Sequence, residues 1–207
     1  MIKAAKFWNK SARKYAASKI SDPEAYAHKL AQTAQHYSAE SILLEFGCGT
    51  GTTALHHAPH VASILALDIS PEMIAIAKEK QTAAGITNVD FRVGGLDTIP
   101  SHADHYDMVM AHSILHLIED PKGAIARFHQ ILKPGGYLVS STACLKSGGL
   151  LFSLLVPVMQ LFGLAPYVNL FTKDTLKTWH EEAGFELSYV WHSDKAKMVQ
   201  FLIAKKL

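Results

Sequence analysis

The chain is poor in cysteine. Its 207 residues hold two, Cys48 and Cys144, far apart and in no Cys-x-x-Cys pair. A zinc site of the usual kind is thereby excluded, and no metal is expected. So few cysteines in so long a chain point to a reducing compartment. Charge of one sign is also lacking. Twenty basic against 18 acidic residues leave a formal charge of +2, too little by itself to imply a nucleic-acid partner. Long apolar runs are absent as well. The longest, residues 150–166, is interrupted by Ser153, Pro157, Gln160 and Gly163, whereas a spanning helix needs roughly 20 apolar residues. The N-terminus, MIKAAKFWNKSARKYAASK, has no apolar centre followed by a cleavage site, so it does not read as a signal peptide. The expected location is cytoplasmic.

What the chain does have is apolar residues, 49% of the total, enough for a sizeable core. The length suits one domain with appended elements. Residues 2–19 read as a helix, with Ala4, Phe7, Trp8, Ser11, Ala12 and Tyr15 on one face and Lys3, Lys6, Lys10, Arg13 and Lys14 on the other. That basic face leaves open a peripheral contact with an anionic membrane. Asp22-Pro23-Glu24 starts a second helix running to about Tyr37.

From Ser41 the pattern changes. Strands are expected at residues 42–46, 63–67, 89–93, 106–111 and 137–142, the last after a Pro134-Gly135-Gly136 turn. Helices are expected between them at 51–57, 71–84 and 121–132. Such alternation argues for a parallel sheet with helices on both faces. A last helix, 172–183, precedes strands 185–192 and 198–204. The loop between those strands is too short for a parallel crossover, so the sheet should end in an antiparallel hairpin.

The chemistry-bearing motif is LLEFGCGTG. Gly47-Cys48-Gly49-Thr50-Gly51 follows the first strand, at the edge where open α/β sheets bind ligands. Asp68 lies 21 residues after Gly47, at the end of the second strand. A carboxylate there can accept hydrogen bonds from both ribose hydroxyls of a nucleoside. A dinucleotide would ask for G-x-G-x-x-G, but here the spacing is G-x-G-x-G, with Thr52 where the third glycine would stand. Glu45, two residues before the first glycine, is awkward for a pyrophosphate and suits a cationic, amine-bearing ligand. A plain tight turn, with Asp68 capping the next helix, is the bland alternative.

The stretches LLEFGCGTG, LALDISPEMIAIAK, HYDMVMAHSILHLIED and ILKPGGYLVSS together resemble the class I S-adenosylmethionine-dependent methyltransferases, in the group that includes the ubiquinone/menaquinone-biosynthesis methyltransferases. The resemblance covers residues 41–142 and returns in the final hairpin. It implies a Rossmann-like, seven-stranded, mostly parallel sheet and S-adenosyl-L-methionine as cofactor. By that resemblance Glu45, Phe46, Gly47, Cys48, Gly49 and Gly51 wrap the methionine part, and Asp68 holds the ribose. Ile69 and Met73 pack near the adenine, while Ala111 and His112 face the sulfonium region. The family often has Gly-Asp after the third strand. This chain has Gly94-Gly95-Leu96-Asp97 instead, so the adenine amine falls either to Asp97 or to the backbone of Gly95 and Leu96.

Methyl transfer needs a general base only when the acceptor arrives protonated. His112 and His116 are the candidate catalytic pair, one helical turn apart and titrating near neutrality when unperturbed. They lack an evident third metal ligand, and a pocket wall or a packing residue is the plainer role for each. His56 and His60 read as solvent-facing. Cys48 reads as a filler of the loop.

Two segments should choose the acceptor: an N-terminal helical lid, residues 1–40, and an apolar lid insertion at about 144–171 within the core, residues 41–207. Trp8 and Tyr15 are candidates to line that pocket. So apolar an insertion must cover something apolar, which suggests a small lipophilic acceptor and leaves a second subunit or a membrane surface as other occupants. The alternatives in other classes are an NAD-dependent oxidoreductase and a non-catalytic cofactor-binding module.

Overall fold

The computed structural model describes residues 2–148 and 166–207. Most of the apolar insertion, residues 149–165, lies outside the described residues. Seven strands form one sheet: β1 (Ile42–Phe46), β2 (Ser63–Asp68), β3 (Val89–Val93), β4 (Tyr106–His112), β5 (Leu132–Ala143), β6 (Phe185–Trp191) and β7 (Val199–Lys206). Their order is β3-β2-β1-β4-β5-β7-β6. The first five are parallel, and β7 runs antiparallel to β5 and β6. Helices α1 (Ile2–Ala17), α2 (Pro23–Thr33), α3 (Thr52–His57), α4 (Pro71–Ala84), α5 (Pro121–Ile131) and α6 (Lys173–Glu182) complete the described elements of more than four residues.

Helices cover both faces, so central strands are buried on both sides and read as continuous apolar runs. Leu44, Phe46 and Val109 pack against Ile125, Phe128 and Leu176 of α5 and α6. Leu43, Met108 and Met110 pack on the other face with Ala54, Ile74, Ala77 and Phe201. Helix boundaries follow their caps. Ser70 Oγ accepts from Met73 N at 3.1 Å and starts α4, and Gly85 ends it in the left-handed region, φ +65°. Asp22, Asp120 and Thr172 cap α2, α5 and α6 in the same way.

Most boundaries fall within two residues of the sequence reading, and three differences have a visible cause. The Pro134-Gly135-Gly136 turn lies inside β5. Leu132 already pairs with Tyr106 before Tyr137 pairs with Met108, so the three residues form a bulge between two stretches of ladder. Burial of Leu132 in the core anchors the earlier stretch. Helix α1 ends at Ala17, where Ser18 Oγ donates back to the Tyr15 carbonyl at 2.6 Å. Helix α2 tightens into a 3-10 turn at Ala34–His36.

The two N-terminal helices are tied to opposite ends of the sheet. Helix α1 lies on α4, with Ala12 against Met73 and Ile76 and with Trp8 and Ala16 alongside. Ser70 Oγ also donates to Asn9 Oδ1 at 2.6 Å. Lys6, Lys10, Arg13 and Lys14 face outward. Helix α2 is held near the β6–β7 end: Ser193 Oγ donates to Asp22 Oδ2 at 2.7 Å, and His28 Nε2 meets Tyr189 Oη at 2.9 Å. Among the described residues no helix is long and apolar enough to cross a membrane.

Candidate cofactor and active site

The glycine loop begins where β1 ends. The amides of Gly47 and Cys48 both donate to the Leu67 carbonyl, at 2.8 and 2.9 Å. Gly47 (φ +72°) and Gly51 (φ +75°) sit in the left-handed region, which disfavours any side chain. Space forbids one too. A Cβ on Gly47 would lie 2.6 Å from Ile114 Cγ1, and one on Gly51 would lie 2.7 Å from Phe91 Cζ. The third loop glycine fixes the acid: Gly49 N donates to Asp68 Oδ2 and Ser70 N to Oδ1, each at 2.9 Å. Each oxygen has spent one lone pair on backbone and keeps another for a ligand.

Above the loop lies a cleft in two halves, which share Tyr15, Gly47, Gly49, His112 and Ser113 as walls. One half, about 410 Å³, is lined by Asp68 and by Trp8, Phe46, Ile69, Met73, Leu117 and Leu145. The other, about 480 Å³, runs beneath α2 and is lined by Tyr26, Lys29, Glu45, Thr50, Thr53 and Lys80. Ser113, at the partition, carries a positive φ of +55° and donates its amide to Ser141 O at 2.6 Å. Such strain in a non-glycine residue gathers at binding sites.

Burial governs the charges here. Glu45 is 2% exposed, and desolvation pushes its carboxyl up to about 8. Its Oε2 has no hydrogen-bond partner among the described residues. Burial also raises Asp68 against the pull of the Ser70 and Gly49 amides. The Lys29 ammonium is lowered by burial, and its Nζ donates to Ser141 Oγ at 3.3 Å. His112 is pushed down to about 3 by burial, with the Lys29 charge adding to it, and His116 to about 4 by burial. Both imidazoles are therefore neutral at physiological pH. Cys48 is a buried thiol held well above its ordinary value, not a thiolate.

These residues fit the implied cofactor. A carboxylate with open lone pairs stands on one side of the glycine loop for ribose hydroxyls, and an unpartnered buried carboxyl oxygen stands on the other for a cationic amine. The two halves of the cleft meet at the loop, with Gly47 and Gly49 on the wall of each.

The structure brings most of the residues singled out from sequence to this cleft. Phe46, Gly47, Gly49, Asp68, Ile69, Met73, His112 and His116 line it, with Glu45 and Cys48 in the polar half and Trp8 and Tyr15 from α1. Ala111 is fully buried one residue before the wall. After β3 it is Gly94 that reaches the cavity. Gly95 is buried, Leu96 half-buried, and Asp97 is exposed, and none of the three lines the cleft. Asp97 sits in the 3-10 turn Leu96–Thr98. His56 and His60 are exposed as expected, but His57 between them is buried, with Nδ1 2.8 Å from Tyr37 Oη. Among the described residues no group of three His, Cys, Asp or Glu is placed to hold a metal ion.

Sequence reasoning missed Tyr26, Lys29 and Ser141. A signal for the first two existed: Tyr26, Lys29, Leu30 and Thr33 recur at helical spacing, and the buried Leu30 and Thr33 mark that face as inward. Nothing local distinguishes Ser141 from its neighbours.

A family model described as methyltransferase domain matches residues 17–190. The malonyl-[acyl-carrier protein] O-methyltransferase of Paenibacillus sp. is 28% identical over 160 residues, 73% of this chain and 58% of that protein. The ubiquinone biosynthesis O-methyltransferase of Saccharophagus degradans is 29% identical over 154 residues, 72% of this chain and 65% of that one. The chain thus spans less than two thirds of the length of these curated relatives. A putative methyltransferase from Bacillus halodurans shares the fold with a TM-score of 0.72 at 18% identity, covering 88% of this chain and 99% of the other. A SAM-dependent methyltransferase from Aquifex aeolicus does so at 0.66 and 18%, covering 87% and 89%. With the family model spanning most of its length, and the glycine loop, Asp68 and Glu45 in place around one cleft, this chain belongs to the methyltransferase domain family.

Proposed function

We propose that this protein transfers a methyl group from S-adenosyl-L-methionine to a small lipophilic acceptor. The observation that carries the reading is the pairing of two acids across the glycine loop: Asp68, with both oxygens still able to accept, and Glu45, with an orphaned buried oxygen. When bound, the cofactor's sulfonium supplies an electrophilic methyl group. The chain's own residues do the rest. Asp68 accepts from ribose hydroxyls, and Ile69 and Met73 give the adenine an apolar seat. Gly47 and Gly49 let the ligand lie on bare backbone, and Glu45 takes the amine. Water exclusion and alignment of the acceptor are the main catalytic tasks.

The lipophilic acceptor is supported by the apolar half of the cleft. Trp8 closes it from α1, Leu145, Pro166 and Val168 from the flanks of the insertion, and the 1–40 segment with 144–171 would form its lid. The names of two relatives, acting in ubiquinone biosynthesis and on a malonyl-acyl carrier protein, agree with an oxygen acceptor. His116, neutral and on the same wall, is the candidate to take a proton from a hydroxyl; His112 packs parallel to the Phe201 ring and is better placed to shape the wall. A cytoplasmic location goes with this reading, and the outward lysines of α1 are the surface for any contact with an anionic membrane.

An NAD-dependent enzyme is disfavoured because a buried carboxyl at Glu45 would lie against the pyrophosphate. A thermal-shift comparison tests the choice directly. S-adenosylhomocysteine should stabilise the protein and NAD should not; the reverse would overturn the assignment. A panel of hydroxylated quinone precursors, free acids and polar amines, read by methyl incorporation, tests the acceptor. Turnover of polar amines alone would sink the lipophilic reading, and no turnover with cofactor bound would favour a non-catalytic module.

A further inference from the structure

The apolar insertion leaves the sheet after Ala143, and its returning leg, residues 166–171, leads into α6. That leg has no regular secondary structure, so its backbone polar groups must find partners elsewhere. Its far end is held by packing: Phe171 is buried and meets the Trp179 ring, with 5.0 Å between centroids. Its middle is held by Asn169, which is half-buried. The Asn169 amide donates to the His116 carbonyl at 2.7 Å. Its side-chain Nδ2 donates to the Glu119 carbonyl at 3.2 Å and lies 3.5 Å from that of Ile118.

These carbonyls belong to the 3-10 turn Leu115–Leu117 and the two residues after it. A helical turn leaves its last carbonyls without partners of its own. Asn169 supplies donors to them from the other side of the insertion. The loop after β4 is already tied at both ends, by Ser113 N to Ser141 O at 2.6 Å and by Asp120, which caps α5. Asn169 is the tie in between. The two segments that it joins face the same space. His116 and Leu117 line the apolar half of the cleft from the turn, and Pro166 and Val168 line it from the leg. His116 Nδ1 is buried without a partner among the described residues. No bond at that atom orients the ring, so its placement follows the backbone that carries it.

We propose that Asn169 is a positioning residue for the methyl acceptor. By tying the turn to the returning leg, it sets where His116 and Leu117 stand relative to Val168. Asn169 is not itself on the cleft wall. The inference rests on the acceptor reading above.

The test uses Asn169→Asp, which keeps the shape and, at neutral pH, replaces the side-chain donors with acceptors. With S-adenosyl-L-methionine and hexylcatechol as the acceptor probe, kcat/KM should fall about 10- to 100-fold, because a displacement near 1 Å in an aligned site costs about that much. S-adenosylhomocysteine should bind within about twofold of the parent by calorimetry. Asn169→Ser, shorter but still a donor, should lose less; it also carries the comparison should Asn169→Asp fail to fold. In the S-adenosylhomocysteine complex, the His116 ring resonances, assigned with His116→Gln, should move in the variant. Those of His57, buried in α3, should stay. A lower Tm with kcat/KM and the His116 resonances unchanged would reduce Asn169 to a staple of the leg and overturn the proposal. An equal loss of cofactor affinity would overturn it too. If the parent does not methylate hexylcatechol, the acceptor reading is what fails, and the His116 resonances still decide the positioning role.

Discussion

The two halves of the cleft share one partition and differ in almost everything else. The half under α1 is walled by Trp8, Phe46, Ile69, Met73 and Leu145, with Asp68 its one acid among the described residues. The half under α2 gathers Glu45, Lys29, Lys80 and Tyr26. In the first, two backbone amides hold the Asp68 carboxylate against the burial that raises it. In the second, Glu45 is buried with one oxygen unpartnered among the described residues, and burial lowers the Lys29 ammonium. One half is built to exclude water and the other to discriminate charge. A molecule with an apolar base at one end and a zwitterion at the other uses both.

Breaking the shared partition should have the largest effect. Gly47→Ala forces a Cβ to within 2.6 Å of Ile114 at a left-handed φ. We expect a loss of about 3 kcal/mol in chemical denaturation, together with loss of cofactor binding. A stable variant that still binds would show that the loop can re-form elsewhere. Removing the acid of the apolar half comes next. Asp68→Ala should weaken S-adenosylhomocysteine about 100-fold in calorimetry, since two charge-assisted bonds are lost. A change below threefold would remove Asp68 from ribose recognition.

Glu45 sharpens the comparison because its effect should change sign with the ligand. Its folded-state value of about 8 lies above the ordinary 4.5. Ionisation therefore favours the unfolded chain, and the penalty, absent at acidic pH, grows as pH rises towards about 8. Glu45→Gln should raise the ligand-free protein's stability by about 1–2 kcal/mol near pH 8 and leave it little changed near pH 4. The same variant should bind S-adenosylhomocysteine about tenfold more weakly and abolish the proton release that accompanies binding near pH 7, read as the buffer dependence of the binding enthalpy. Absence of that release in the parent protein would show that Glu45 is already ionised.

The smaller effects concern the acceptor side. Trp8→Ala should raise the KM of a lipophilic acceptor about fivefold and leave cofactor affinity within about twofold. With His116 held near 4 and His112 near 3, kcat/KM should show no acidic limb from either imidazole between about pH 5 and 7. A limb near the ordinary histidine value that disappears in His116→Gln would mean that ligand binding restores its basicity.

Most of the fold was legible because its signals are local. Ser70-Pro71 and Gly85 bracket α4 with a cap and a left-handed stop, and both acted where the residues stand. The bulge at Pro134–Gly136 was not legible, because a Pro-Gly-Gly run looks the same as a turn until Leu132 finds its partner Tyr106. The loop glycines and Asp68 were legible as a spacing. Spacing alone could not tell Asp97 from Gly94 as the residue on the cleft wall, because burial after β3 is set by tertiary packing. Lys29 lay on a readable inward face, but its contact with Ser141 is a statement about β5 and α2 together.

The sequence by itself determined the elements, the glycine loop and the acid that follows it, since steric freedom, capping and hydrophobic periodicity act between neighbours in the chain. Tertiary structure alone decided the division of labour in the cleft. That division depends on desolvation, which is set by whatever packs over a group. Glu45 becomes a weak acid because the sheet and α3 bury it, burial lowers the Lys29 ammonium where it reaches Ser141 of β5, and the two histidines lose their basicity to burial as well.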